Sequence, residues 1–337
     1  MRRSHKGRSF ALLGSLALIV AACTGGGASP SDAPSEPAST SGGSGEPSAS
    51  AAVGGGDVDL SGLTIIVGSK EFTEQLILGE ITKQVLENAG ATVEDQTGLV
   101  GSSTVREALL SGDIDLYWEY TGTGWINHLG NETPVVGSEE QYMAVAEADA
   151  ENGIAWLDPA PFNNTYAIAL ASEAASELGL TSMSDLAAYA ADNPAETTLC
   201  GAAEFLGRDD GLPGLEAAYD FEFSDVSELE LGLVYTSIDS QDPCVFGEVF
   251  ATDGRIAGLD LTVLEDDENF FPSYLPSLNV RQEVLDANPG IADLFAPVSA
   301  ALDNDTMTAL NAQVDVDGEQ PADVAAAFLE ENGLLGE

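Results

Sequence analysis

From residue 63 onward, short runs of β-branched residues alternate with stretches of helical periodicity, and this alternation restricts the folds open to the chain. Leu63-Thr64-Ile65-Ile66-Val67 has the length and the branched side chains of a strand. Gly68 and Ser69 follow it. Ile77, Ile81 and Val85 then recur at four-residue spacing, with Leu78 and Leu86 beside them, which places an apolar stripe on a helix that Gly90 ends. A second unit repeats the pattern. Ser103 or Thr104 caps a helix through Leu110, Gly112 stops it, and Ile114 to Tyr117 is predicted as a strand. Tyr166 to Leu170, Leu199 and Thr262 to Leu264 are further strand positions, with helices expected over 174–178, 184–191 and 215–219. The tail from Arg281 to Leu334 reads as helical, with breaks at Pro289, Pro297 and Pro321. Strands separated by helices predict an α/β fold with a largely parallel sheet. Two α/β units and a helical tail suit two lobes with a cleft between them, and clefts at the carboxyl ends of strands hold ligands in such folds.

The first 56 residues do not belong to that pattern. Arg2, Arg3, Lys6 and Arg8 form a basic start without an acidic residue, and an apolar small-residue stretch runs from Phe10 to Ala22. At roughly 13 residues it is shorter than the about 20 that span a bilayer, and its flanks fit a cleaved signal peptide, residues 1–22. Val20-Ala21-Ala22-Cys23 resembles the bacterial lipobox, in which the cysteine is lipidated and becomes the mature N-terminus. The alternative is a secreted protein in which Cys23 merely follows two alanines. Residues 23–56 are dominated by Ser, Gly, Pro and Ala, which cannot bury enough surface to order themselves. They read as a flexible linker with a reach of order 30 Å.

Without residues 1–22 the chain keeps six basic residues, Lys70, Lys83, Arg106, Arg208, Arg255 and Arg281, against 57 acidic ones, a formal charge of −51. A surface of that sign repels nucleic acid and anionic lipid, so a nucleic-acid partner is excluded. It serves equally as generic solubility, salt adaptation or a means of concentrating cations. With Cys23 assigned to lipid, Cys200 and Cys244 are left as a candidate disulfide of an exported protein or as two buried thiols. Catalytic signatures are missing: no Gly-x-Ser-x-Gly, no phosphate-binding loop and no His-Glu-x-x-His occurs. His128 is the one histidine after the leader and is expected in a loop. Asp315-Val316-Asp317-Gly318 is only a fragment of a calcium loop. The sequence therefore predicts no enzyme, no cofactor and no metal.

Seven segments in register carry a resemblance. They are Gly68-Ser69-Lys70-Glu71-Phe72-Thr73-Glu74-Gln75, Val105-Arg106-Glu107-Ala108-Leu109, Asp115-Leu116-Tyr117-Trp118-Glu119-Tyr120-Thr121-Gly122-Thr123, Asn163-Asn164-Thr165-Tyr166, Glu204-Phe205-Leu206-Gly207-Arg208-Asp209-Asp210-Gly211, Ala251-Thr252-Asp253-Gly254-Arg255-Ile256 and Phe271-Pro272-Ser273-Tyr274. In this order they resemble the substrate-binding proteins of ABC transporters for glycine betaine, choline and related osmoprotectants. The resemblance implies a hinged, two-lobed periplasmic-binding-protein-like fold, with residues 57–160 and 268–337 in lobe I and 161–267 in lobe II. It implies a quaternary ammonium ligand, an ABC permease as partner and a place on the extracytoplasmic face of the membrane. It also implies an aromatic cage of Tyr120, Tyr166, Phe250 and Tyr274, with Phe250 where a tyrosine is the expectation. Polar contacts carried over by motif are Lys70, Gln75, Thr123, Asn164, Glu204 and Arg208. A binding protein of the same fold for another small solute, such as an amino acid, is the alternative.

The chemistry of such a ligand stands apart from the resemblance. A trimethylammonium group is cationic but has no N–H to donate, so the faces of electron-rich rings hold it, at about 0.5–2 kcal/mol per contact. A carboxylate on the same ligand wants the donors of Lys70, Arg208 and Gln75. Each of these residues also has an ordinary role open to it: Tyr120, Tyr166 and Phe250 as core, Lys70 and Arg208 as ion-pair partners on an acidic chain. Trp118 and Trp125 are expected in the lobe core.

Overall fold

The structure is a computed structural model that describes residues 58–335. The basic leader, Cys23 and the segment up to residue 57 lie outside the described residues. Ten strands are present among the described residues: β1 (Thr64–Lys70), β2 (Thr92–Leu99), β3 (Leu116–Tyr120), β4 (Ile154–Trp156), β5 (Tyr166–Ala171), β6 (Thr198–Gly201), β7 (Asp225–Glu228), β8 (Phe246–Phe250), β9 (Leu261–Val263) and β10 (Pro276–Arg281). They form two five-stranded sheets, ordered β2-β1-β3-β10-β4 and β7-β6-β8-β5-β9. The chain therefore builds most of the first sheet, crosses to make the whole of the second, and returns once to complete the first. Each sheet with its helices is a lobe, and the crossings are the segments between β4 and β5 and between β9 and β10.

This topology corrects the expectation of a largely parallel sheet. β1 runs parallel to β2 and β3, and β6 runs parallel to β7 and β8, as helical crossovers require. β10 is antiparallel to β3 and β4, and β5 is antiparallel to β8 and β9. The two strands that enter a sheet from the other lobe are thus the ones that reverse direction. Both lie inside their sheets and are almost wholly buried, with the sequences Tyr-Ala-Ile-Ala-Leu-Ala and Pro-Ser-Leu-Asn-Val-Arg.

Each lobe has its own apolar core. In the first, helix α1 (Thr73–Asn88) turns Ile77, Leu78, Ile81, Val85 and Leu86 inward, against Phe295, Val324, Phe328 and Leu329 of the C-terminal helices. In the second, Leu199, Phe205, Leu215 and Phe246 are fully buried together. Each such side chain contributes about 1.5–3 kcal/mol on leaving water. Helix α2 (Ser102–Ser111) starts one residue before the expected cap, with Gly101 at the N-cap and Gly112 left-handed at φ 83° past its end. The tail is helical only after β10, in helices Gln282–Ala287, Gly290–Ala301, Asn304–Asp315 and Pro321–Glu331. Pro289 and Pro321 sit at helix starts, where their missing N–H costs nothing. Pro297 does not break the chain as expected; it lies inside helix Gly290–Ala301. Cys200, on β6, is disulfide-bonded to Cys244, just before β8, and both are buried.

Candidate functional site

A cavity of about 810 Å³ opens between the two sheets. Its aromatic wall forms because the motif residues stand at the ends of strands that face each other across it. Tyr120 is the last residue of β3, Tyr166 the first of β5 and Phe250 the last of β8. The antiparallel register sets Tyr166 directly opposite Phe250, and their ring centroids are 5.1 Å apart. Tyr274 meets Tyr166 edge-on at 5.6 Å. Phe72, just before α1, closes the series, 5.2 Å from Phe250 and 6.2 Å from Tyr120. All five residues line the cavity. Gly122 permits this arrangement, since a Cβ there would lie 2.6 Å from the Tyr274 ring.

Carboxylates from behind the wall hold two of the phenols. The Tyr120 hydroxyl donates to Glu74 Oε1 at 2.7 Å, and the Tyr274 hydroxyl donates to Asp210 Oδ2 at 2.8 Å. A phenol that donates to a carboxylate gains electron density in its ring, which strengthens the hold on a cation. Glu74 is fully buried and also accepts from Asn164, Thr252 and Asn311, at 2.9, 2.5 and 3.1 Å. Burial pushes its carboxyl upward, against the pull of these four donors. Tyr120 and Asn311 belong to the first lobe, Thr252 follows β8 of the second, and Asn164 lies on the crossing segment. One carboxylate therefore joins both lobes beside the crossing.

The cations at the cavity are already paired. Lys70 Nζ is 2.7 Å from Glu119 and stands 5.1 Å from the centre of the Tyr120 ring. Glu119 also takes the Tyr117 hydroxyl at 2.9 Å and His128 Nε2 at 2.8 Å. Burial raises its carboxyl, but Lys70 and His128 outweigh burial and hold it well below the usual range. Arg208 binds Asp210 through two nitrogens and Glu204 through a third at 2.7 Å, and its guanidinium lies 5.6 Å from the Tyr166 ring centre. It approaches Thr123 Oγ1 at 3.4 Å across the cleft. Glu204 uses its second oxygen to accept from the backbone N–H of Ser102, in the first turn of α2, at 3.1 Å. Nine of the ten residues assigned by motif thus line one cavity: Lys70, Tyr120, Thr123, Asn164, Tyr166, Glu204, Arg208, Phe250 and Tyr274.

Residues 63–331 match the family described as the substrate-binding domain of ABC-type glycine betaine transport systems. The chain is 42% identical over 281 residues to a glycine-betaine-binding protein of Pseudomonas aeruginosa, covering 81% of this chain and 89% of that one. The chain belongs to this glycine betaine transport family. It is also 35% identical to an ergothioneine transport permease/ergothioneine binding protein of Helicobacter pylori, over 80% of this chain and 48% of that longer one. The apo structure of YehZ from Escherichia coli superposes with a TM-score of 0.61 at 35% identity, covering 80% of this chain and 99% of that one. The periplasmic-binding-protein-like, two-lobed architecture is therefore common to both.

Gln75 departs from the motif-based expectation for a member of this family. It is fully buried away from the cavity, and both ends of its amide are engaged by backbone: Oε1 accepts from Lys70 N–H at 3.2 Å and Nε2 donates to the Trp118 carbonyl at 2.9 Å. It ties β1 to β3 and so fixes where Lys70 and Tyr120 stand. His128 is likewise not in a loop but ends a π-helical turn, Thr123–His128. Trp118 is core, donating to Thr82, and Trp125 packs in a separate apolar cluster of the first lobe. Among the cavity features that escaped the sequence reading are Phe72, Ser102 and the buried carboxyl of Glu248. Phe72 lies within a quoted motif, but nothing in sequence separates a cage ring there from a core ring. Glu248 stands two residues before Phe250 on β8 and so shares its side of the strand.

Proposed function

We propose that the chain is a lipid-anchored, extracytoplasmic solute-binding protein that captures a quaternary ammonium osmoprotectant such as choline or glycine betaine and delivers it to an ABC permease. The observation that carries this reading is the wall of five rings drawn from both lobes around one cavity. Rings of that kind suit a cation that cannot donate hydrogen bonds. Membership of the glycine betaine family supports it further, as does the lipobox-like run ending at Cys23. The aromatic cage supplies affinity, and closure of the lobes over the ligand supplies the signal that a permease reads.

Calorimetry with choline, glycine betaine and a panel of L-amino acids tests the reading. Saturable binding of a quaternary amine at one site per chain is the expected result. Binding of amino acids alone would assign the fold to another solute. The cavity, about 810 Å³, is of the size that encloses drug-sized ligands and exceeds a compact betaine. This favours a second reading, in which the ligand is a larger betaine such as ergothioneine, and that compound belongs in the same panel.

A further inference from the structure

We propose that Glu248 is a specificity-determining contact that reads the polar end of the ligand: as a neutral acid it donates to a carboxylate, and as a carboxylate it favours a ligand that carries only positive charge and a hydroxyl. The inference rests on the quaternary-amine reading above and names how the same site tells a zwitterion from a cation.

Glu248 lines the cavity and is 1% exposed. Its one hydrogen bond among the described residues is from Ala202 N–H to Oε2 at 2.6 Å, and its other oxygen has no such partner. Phe250 of the cage is two residues further along the same strand, on the same side. Two residues of strand span about 7 Å, so a cation on the ring sends a tail of a few bonds toward the carboxyl. The cations at this end are committed. Arg208 is matched by Asp210 and Glu204, and Lys70 by Glu119. Glu248 is the buried acid left to answer the ligand's tail.

The surroundings favour its neutral form. Burial pushes the carboxyl up to about 8; Glu204 adds to this, while Ala202 N–H and the Arg208 charge oppose it. The facing groups are Glu204 and Arg208 from the segment after β6 and Tyr166 from β5. Helix Leu231–Ser240 packs on the opposite side of this strand, with Val234 and Ile238 against Gly247 and the Tyr235 hydroxyl accepting from Phe250 N–H at 2.9 Å, and none of the three faces Glu248. Below the midpoint a glycine betaine carboxylate meets an O–H donor. Above it the same carboxylate meets a like charge, whereas choline gains a carboxylate partner.

The linkage has a definite sign. If only the neutral form accepts glycine betaine, its Kd rises about tenfold between about pH 7 and pH 9, while that of choline falls over the same interval. Betaine binding near pH 8 takes up protons and choline binding releases them, read as opposite buffer-dependent heats in two buffers of different ionisation enthalpy. Glu248→Gln keeps the size of the side chain and an acceptor for Ala202 N–H, and it is expected to flatten both pH profiles and abolish both proton heats. Profiles that Glu248→Gln leaves unchanged would overturn the proposal. Titration of the ligand-free protein by carboxyl carbon NMR, assigned by difference from Glu248→Gln, is a second measurement that needs no ligand. A Glu248 resonance that titrates in the ordinary carboxylate range would also overturn it. Absence of any quaternary-amine binding to the wild-type protein would instead count against the function, leaving the NMR titration to judge Glu248.

Discussion

Phe250 and Tyr120 occupy similar places in the ring wall, but only Tyr120 has a carboxylate behind its phenol. Their contributions should therefore differ in kind. Tyr120→Ala removes a cation–π face and some apolar burial, and it leaves Glu74 one donor short. Tyr120→Ala and Tyr274→Ala should each weaken quaternary-amine binding by about 1–3 kcal/mol, measured by calorimetry. Phe250→Tyr should bind no worse than wild type, because the ring face is kept. Unchanged affinity in both alanine variants would count against the cage. Tyr166 was legible because motif and strand pattern agree on it; Tyr120, Phe250 and Tyr274 rested on motif alone, since the expected strand stops at Tyr117 and none was expected before Phe250 or Tyr274. Gln75 was not legible, because a buried amide is recruited by whichever backbone groups the fold leaves unpaired, here Lys70 N–H and the Trp118 carbonyl. Lys70 and Arg208 were legible as ion-paired residues at the cleft, but which carboxylates neutralise them depends on tertiary placement.

At the scale of elements, β1, β3, β5, β6 and β9 fall where strands were expected, whereas β2, β4, β7, β8 and β10 do not. β1 and β5 are apolar and enclosed, whereas β2 (Thr-Val-Glu-Asp-Gln-Thr-Gly-Leu) and β7 (Asp-Val-Ser-Glu) are polar edge strands with little alternation, and the buried β8 and β10 are interrupted by Gly247-Glu248 and by Pro276 and Asn279. An edge strand is held by its ladder to one neighbour, and charged side chains there discourage pairing with other chains. Strand direction was also hidden, since the reversal of β5 and β10 follows from the crossing of the chain between lobes. The Cys200–Cys244 bond acts at this scale, because it ties β6 to the approach of β8 and so braces the strand that ends at Phe250. The sequence separation of 44 residues corresponds to about 4 kcal/mol in the chain-entropy model. Mass spectrometry of the non-reduced protein should recover the two peptides joined, and replacing both cysteines by serine should lower the thermal midpoint by several degrees. Two alkylatable thiols in native exported protein would contradict the assignment.

At the scale of the whole molecule, the proposed anchoring and the proposed closure are separable. Replacing Cys23 by serine is expected to move the protein from the membrane fraction to the soluble fraction without changing ligand affinity; retention in the membrane would rule out the lipid anchor. Closure depends on bonds that span the cleft. Glu74 meets Thr252 close to the crossing segment, where Gly254 also backs onto helix Asn304–Asp315 so closely that a Cβ would lie 2.4 Å from Ala312. Glu204 meets Ser102 N–H at the rim, next to Val100, which is largely exposed. Motion about the crossings separates rim groups further than groups near the pivot, so the Glu204 bond should form late in closing and break early in opening. Burial raises the Glu204 carboxyl, but the charges of Lys70 and Arg208 and the bond from Ser102 outweigh it, so the group is held below the usual carboxylate range and stays ionised at neutral pH. An ionised carboxylate at the first turn of α2 is also favoured by the helix dipole. Glu204→Gln keeps the shape and weakens that interaction. A contact made only in the closed form acts on escape rather than on encounter. Stopped-flow measurements should therefore show faster ligand dissociation in Glu204→Gln with an unchanged association rate. An unchanged dissociation rate would mean that the rim bond takes no part in holding the lobes shut.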